Sequence, residues 1–310
     1  MQESLQVMDS VRLNFNNDGL LLLNITLAVV MFGVALGIKL DHFTKLFKEP
    51  RPAIVGIISQ IVLLPAVTFL LVKLINPTPT VALGMILVAA CPGGNVSNFI
   101  SATAKGNVAL SVSLTAFSTL AAVITTPLNF EIWGGLYNAT SPAFKPIEID
   151  PYSMFQTVFI ILGIPLILGM FVAHKFPNLT AKITKPIKTT SFVIFISYIL
   201  IALLSNWTHF KNYVHLVMII VFLHNGLALL TGYGVSYFSG LKWRERRTIA
   251  IETGIQNSGL ALVLIFNPKI FPAELEIGGM AIIAAWWGIW HIVSGLSLAT
   301  FWAKRPGADY

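Results

Sequence analysis

Cys91-Pro92-Gly93-Gly94-Asn95-Val96-Ser97-Asn98 interrupts residues 80–104, a run otherwise long and apolar enough to cross a bilayer. Proline removes a backbone donor and two glycines raise the entropic cost of helix, so the run cannot continue as one rod. It reads as two half-helices meeting near the middle of a membrane. Residues 245–266 are broken in the same way by Gly254 and the polar string Gln256-Asn257-Ser258-Gly259. Each broken segment follows a long apolar run with marked interruptions, Gln60 and Pro65 in one case and His224-Asn225-Gly226 in the other. Each is followed by a polar bend, Lys105-Gly106-Asn107 or Asn267-Pro268-Lys269, and another long run. The first broken segment starts outside and the second inside, so the repeat is inverted. Paired broken helices in an inverted repeat point to a secondary transporter with its site at the midplane.

Composition supports lipid as the main solvent. Apolar residues make up 55% of the 310 and charged residues 11%, against about 25% charged in ordinary globular chains. Mean hydropathy is +0.78. The expected fold is an all-α polytopic membrane protein with nine transmembrane spans. Seven are uninterrupted (19–38, 52–75, 107–128, 152–173, 189–206, 212–238 and 277–303), and the two broken ones cross near the midplane. The net charge of +7 comes from short basic clusters between apolar runs, which mark topology and not a nucleic-acid face. With the N-terminus outside, 15 of the 20 Lys and Arg fall in inside loops or the tail. These include Lys45 and Lys48, Lys182 and Lys185, and the cluster Lys242, Arg244, Arg246 and Arg247. The expected placement is a multi-pass protein of the cell inner membrane, with an extracytoplasmic segment 1–18 and a cytoplasmic tail 304–310. Residues 1–18 lack the basic start of a cleaved signal. Cys91 is the only cysteine, which excludes an intrachain disulfide and a thiolate metal cage. No nearby base activates it, so packing is its expected role.

Of the 13 acidic residues, only Glu252 lies well inside a span. A charge at that depth costs roughly 2.5–3.5 kcal/mol on insertion scales, so either the group is structurally hydrogen-bonded or it holds a cation or proton. Neutral oxygen side chains are plentiful in the segments expected near it: Gln60, Asn95, Ser97, Asn98, Ser111, Thr115, Gln256, Asn257 and Ser258. Each alone is more often interhelical glue than a ligand. Together, one carboxylate with hydroxyl, amide and carbonyl oxygens suits a hard cation such as Na⁺ better than a soft metal. A proton relay would need few of them.

The 91–98 string, Gly106-Asn107-Val108-Ala109-Leu110-Ser111, Glu252-Thr253-Gly254-Ile255-Gln256-Asn257-Ser258-Gly259, Gln60 with Pro65, His224-Asn225-Gly226 and Trp290-His291 together resemble the signatures of the bile acid:sodium symporter family. The resemblance runs from residue 19 to 303. It implies a panel domain (19–38, 152–173 and 189–206) and a core domain (52–128 and 212–303). Bacterial members often have ten spans, and this chain looks like a bacterial homologue with nine. The resemblance further implies two Na⁺ ions. One would be held by Ser97, Asn98, Ser111, Thr115 and Glu252, the other by Gln60, Glu252, Gln256 and the carbonyls of Thr253 and Ile255. A small organic anion, bile acid-like or a smaller carboxylate such as pantoate or a keto acid, would lie near Asn95, Asn257 and His291. Asn95, and Ile292 after the last-span histidine, depart from related bacterial patterns on the anion side only.

These readings point to a Na⁺-coupled carrier working by alternating access, with no catalytic residues, the lipid bilayer as surroundings and a monomer as sufficient unit. The competing readings are a proton-coupled carrier using Glu252 as its proton site, and a receptor or channel subunit without coupled transport. No nucleophile–base set or His-Glu metal motif marks an enzyme.

Overall fold

The computed structural model describes residues 17–38, 41, 44, 48–94, 96–140, 150–205, 207–271, 275 and 277–305. The expected N-terminal segment, but for its last two residues, and all but the first two residues of the tail lie outside them. Eleven helices are described: α1 (Asn17–Ala35), α2 (Pro50–Ile75), α3 (Pro79–Ala90), α4 (Val96–Thr103), α5 (Val108–Ala139), α6 (Pro151–Lys175), α7 (Pro177–Ser205), α8 (Trp207–Phe238), α9 (Trp243–Gly254), α10 (Ser258–Ile265) and α11 (Gly278–Ala303). The molecule is an all-α, multi-pass membrane protein.

Local chemistry sets most boundaries. α2, α3, α6 and α7 begin on proline, whose missing N–H is no loss in a first turn and whose fixed φ suits it. Asp150 caps α6 by accepting from the Tyr152 N–H at 3.0 Å, and Asn107 caps α5 through the Leu110 N–H at 3.0 Å. α2 ends at Asn76, which takes a left-handed φ of 44°, a conformation asparagine tolerates better than most.

By length and composition α2, α5, α6, α11 and residues Val217–Phe238 of α8 can each cross a membrane. α5 shows how the sequence sorts its faces. Leu120, Ile124, Leu128, Ile132 and Leu136 are exposed at four-residue spacing, a stripe for lipid tails. The opposite face buries Ser111, Thr115, Thr119, Ala122 and Thr126, small or hydroxylic side chains that let helices approach. α3 is apolar all round and buried from Thr80 through Ala90, so it forms the centre of the core.

Close backbone approach fixes the helix pairs. A Cβ at Gly84 of α3 would lie 2.7 Å from the Met280 Cα of α11, and one at Gly232 of α8 would lie 2.6 Å from the Ile249 carbonyl oxygen of α9. α1, α6 and α7 pack on one another, while α8 runs along α9 and α11 packs on α3 and α8. The two groups meet chiefly where α5 meets α6 and α1 meets α10.

The expected breaks fall between α3 and α4 and between α9 and α10. Gly93 and Gln256 form an antiparallel bridge. The Gly94 N–H donates to the Ile255 carbonyl at 2.7 Å, and the Asn257 N–H to the Pro92 carbonyl at 2.8 Å. Each break thus serves backbone groups of the other, as groups at membrane depth require. Elsewhere the helices run further than the apolar runs: α7 starts at Pro177 and not near 189, and α5 reaches Ala139 and not 128. Polar side chains near a water interface do not stop a helix, so hydropathy marks the lipid-facing length only.

Candidate functional site

Glu252 lies in the last turn of α9 and is fully buried. Its carboxylate accepts from Ser97 Oγ at 2.6 Å, from Ser111 Oγ, from Thr115 Oγ1 at 2.9 Å and from Gln60 Nε2 at 3.3 Å. Asn98 Oδ1 stands 3.0 Å from Ser111 Oγ and 3.4 Å from Thr115 Oγ1. A hydroxyl has one proton, so Ser111 can serve Glu252 or Asn98 but not both. The result is a cluster of six oxygens from α4, α5 and α9 with few protons among them.

Sequence explains how these groups converge. Ser97 and Asn98 fall in the first turn of α4, directly after the first break. Ser111 and Thr115, four apart, share one face of α5. The bend between α4 and α5 is tied to the start of α9: Asn107 N–H donates to the Arg244 carbonyl at 3.2 Å, Thr248 Oγ1 to the Asn107 carbonyl at 3.2 Å, and Arg247 Nη1 to the Ala104 carbonyl at 2.8 Å. Arg247 also donates to the Arg305 carbonyl and lies over the Trp243 ring, 4.3 Å from its centroid. One arginine thus joins the ends of α4 and α11 to α9.

The second set is more open. Gln256 Nε2 donates to the Thr253 carbonyl at 2.8 Å. Gln60 Oε1 and Gln256 Oε1 are both buried without a hydrogen-bond partner. Reversing the Gln60 amide would point its oxygen at the carboxylate, so the orphaned acceptor stays on that side chain either way. Two buried oxygens lacking donors, one of them on a side chain bonded to the carboxylate, fit an oxygen-seeking cation. Electrostatics add to this, because a carboxylate at the negative end of a helix dipole is unfavourable until a cation arrives. Gly93 leaves room here: a Cβ on it would sit 3.3 Å from Glu252 Oε2 and 3.5 Å from Gln60 Nε2.

The residues expected on the anion side are placed less closely together. Asn95 lies outside the described residues. Asn257 caps α10 through the Leu260 N–H at 3.1 Å, and its Nδ2 points at Met31 Sδ of α1 at 3.8 Å. His291 is buried on α11 with its ring 6.5 Å from that of Trp287. Gly288 stands against Ser258 and Gly295 against Ile255, so the stripe 288–291–295 runs along the second break.

Three partners were missed as such. Asn225 Nδ2 donates to the Gly254 carbonyl at 2.8 Å and its Oδ1 accepts from Ser294 Oγ at 2.5 Å, holding the end of α9. Ser59 Oγ lies 2.7 Å from Thr253 Oγ1. His224 Nε2 lies 2.8 Å from Thr68 Oγ1, its ring 4.6 Å from Trp287. His224 and Asn225 stood out as repeat markers, but nothing in sequence names partners some thirty to 160 residues away.

The sequence profile of the Sodium Bile acid symporter family matches residues 24–212. The chain belongs to that family. It is similar over 286 residues, at 32% identity, to the Bacillus subtilis (strain 168) "Uncharacterized sodium-dependent transporter YocS", covering 91% of this chain and 83% of that one. The rice "Probable sodium/metabolite cotransporter BASS1, chloroplastic" is 31% identical over 290 residues, 91% of this chain and 66% of its own length. The human "Ileal sodium/bile acid cotransporter" is 29% identical over 272 residues, 85% of this chain and 75% of its own. As a member of the Sodium Bile acid symporter family, the chain is a transport protein and not an enzyme.

Proposed function

We propose that this protein couples inward movement of Na⁺ to uptake of a small organic anion by alternating access. The observation that carries the reading is the buried Glu252 carboxylate ringed by hydroxyl and amide oxygens, with the unpartnered oxygens of Gln60 and Gln256 in the adjoining set. Its relatives' names, sodium-dependent transporter and sodium/bile acid or sodium/metabolite cotransporter, support the same coupling.

In this reading one Na⁺ is held by Ser97, Asn98, Ser111, Thr115 and Glu252. A second takes Gln60, Gln256, Glu252 and the carbonyls of Thr253 and Ile255. The anion, a bile acid-like molecule or a smaller carboxylate such as pantoate or a keto acid, binds near Asn95, Asn257 and His291, where the N-termini of α4 and α10 favour negative charge. Two cations and a monovalent anion move one net positive charge. A tenfold sodium gradient supplies about 1.4 kcal/mol per ion and the membrane potential about 2.3 kcal/mol per 100 mV. The sum, roughly 5 kcal/mol, sustains an anion gradient of about several thousandfold. Sodium binds first, because an anion approaching an uncompensated Glu252 is repelled.

The moving parts are the panel of α1, α6 and α7 and the core built from the other helices, in an inner membrane with the N-terminus outside and the C-terminus inside. Uptake into proteoliposomes tests the coupling: it falls to background when choline replaces Na⁺. Uptake that persists in choline, follows a pH gradient and is lost in Glu252→Gln would favour the proton-coupled alternative, which the unpartnered acceptor oxygens disfavour.

A further inference from the structure

α2 is not a regular helix. Residues Ser59–Leu63 form a π turn, closed by the Leu64 N–H donating to the Ser59 carbonyl five residues back. Ser59 and Gln60, consecutive and both buried, reach the same stretch of α9. Ser59 Oγ meets Thr253 Oγ1 at 2.7 Å, and Gln60 Nε2 meets Glu252 Oε2 at 3.3 Å.

Pro65 follows this turn. In a regular helix its ring would press on the carbonyl of Ile61, in the middle of the turn, and a π turn relieves that clash. α6 repeats the arrangement: a π turn at Phe159–Gly163, closed by Ile164 on Phe159, precedes Pro165. Pro127 and Pro186, by contrast, sit inside α5 and α7 without a π turn. Proline therefore permits the irregularity without forcing it. At Ser59 its use is visible in the two bonds to α9, since π turns persist where a function repays their poorer geometry.

We infer that the π turn of α2 positions Gln60 for the second cation, and that Ser59 is a positioning residue for that site. This rests on the reading of Gln60, Glu252 and Thr253 as cation ligands. Ser59 engages the hydroxyl of Thr253, next to Glu252 in the chain. With that rung fixed, Gln60 spends its amide N–H on Glu252 and keeps Oε1 unpartnered beside the carboxylate. Removing the extra residue of the turn would rotate Ser59 and Gln60 together by about 100° relative to the part of α2 beyond Leu64, turning both away from α9.

The test is a thermal-shift titration of the purified full chain with NaCl, choline chloride holding ionic strength constant and no anion added. The readout is the sodium concentration giving half of the stabilisation. Deleting lipid-facing Val62 from the turn raises it about tenfold, the lower range for losing a group that orients a metal ligand. Ser59→Ala raises it severalfold and Ser59→Thr restores it. Deleting lipid-facing Ile160 from the matching turn of α6 leaves it unchanged. A purely structural Ser59 would lower the melting temperature in choline without moving the half-point, and that result overturns the inference, even if the Val62 deletion fails to fold. If Gln60→Ala shifts the half-point and Ser59→Ala does not, the positioning role falls while the cation site stands. A wild-type chain with no sodium-dependent stabilisation overturns both.

Discussion

Glu252 is held by donors that can each be replaced without touching the others, and this makes residue-level energetics separable. Replacing it by glutamine removes a buried charge while keeping shape and hydrogen-bonding capacity. The variant's melting temperature in choline is expected to stay level or rise, since an uncompensated buried charge opposes folding. Its stabilisation by Na⁺ is expected to vanish. At a hundredfold the half-saturating concentration one bound ion contributes about 2.7 kcal/mol, so the loss is measurable by thermal shift. Ser111→Ala keeps the carboxylate and removes one hydroxyl oxygen; sodium titration is expected to show an affinity about tenfold weaker. At this scale the sequence was informative about identity and silent about partners. A lone acid in an apolar run is visible without coordinates. That Ser97, Ser111, Thr115 and Gln60 all donate to it depends on four segments meeting, which only the fold decides. Asn257 shows the opposite bias: asparagine at the head of a half-helix is a capping signal, and the structure has it capping α10.

Among elements, the two interruptions were legible because Pro92-Gly93-Gly94 and Gly254 change backbone chemistry at the right depth. The π turns were not. Pro65 and Pro165 have them and Pro127 and Pro186 do not, so proline alone does not decide where they form. Helix ends were legible where proline, Asn107 or Asp150 marks them, and blurred where a polar stretch merely continues the coil, as at the start of α7. Close helix pairs make their own prediction. Gly232→Ala sets a methyl 2.6 Å from the Ile249 carbonyl oxygen and 2.7 Å from the Ala250 Cα, both backbone atoms that cannot swing aside. Overpacking of that kind is expected to cost about 1–3 kcal/mol, read as a lower melting temperature. Gly135→Ala on α5, where an added Cβ meets nothing within 4 Å, is the matched substitution and is expected to cost nothing.

For the whole molecule, transport by relative movement requires that bonds between the two helix groups break and re-form. Asn267, just beyond α10, donates to Thr157 Oγ1 of α6 at 2.9 Å. A Thr157→Cys, Asn267→Cys pair in a Cys91→Ala background tests this. Joining the two thiols with a short bifunctional reagent is expected to stop uptake while sodium-dependent stabilisation survives, and reversing the link restores uptake. The bridge between the breaks has a consequence for how such a chain is made. Gly94 waits for Ile255, and Pro92 for Asn257. At ordinary elongation rates of about 5–20 residues per second, that wait is roughly 10–30 s. Throughout it, the nascent first half holds unpaired peptide groups at a depth where neither water nor lipid can satisfy them. The newborn chain therefore depends on the insertion machinery to shelter that segment until its other half has been synthesised.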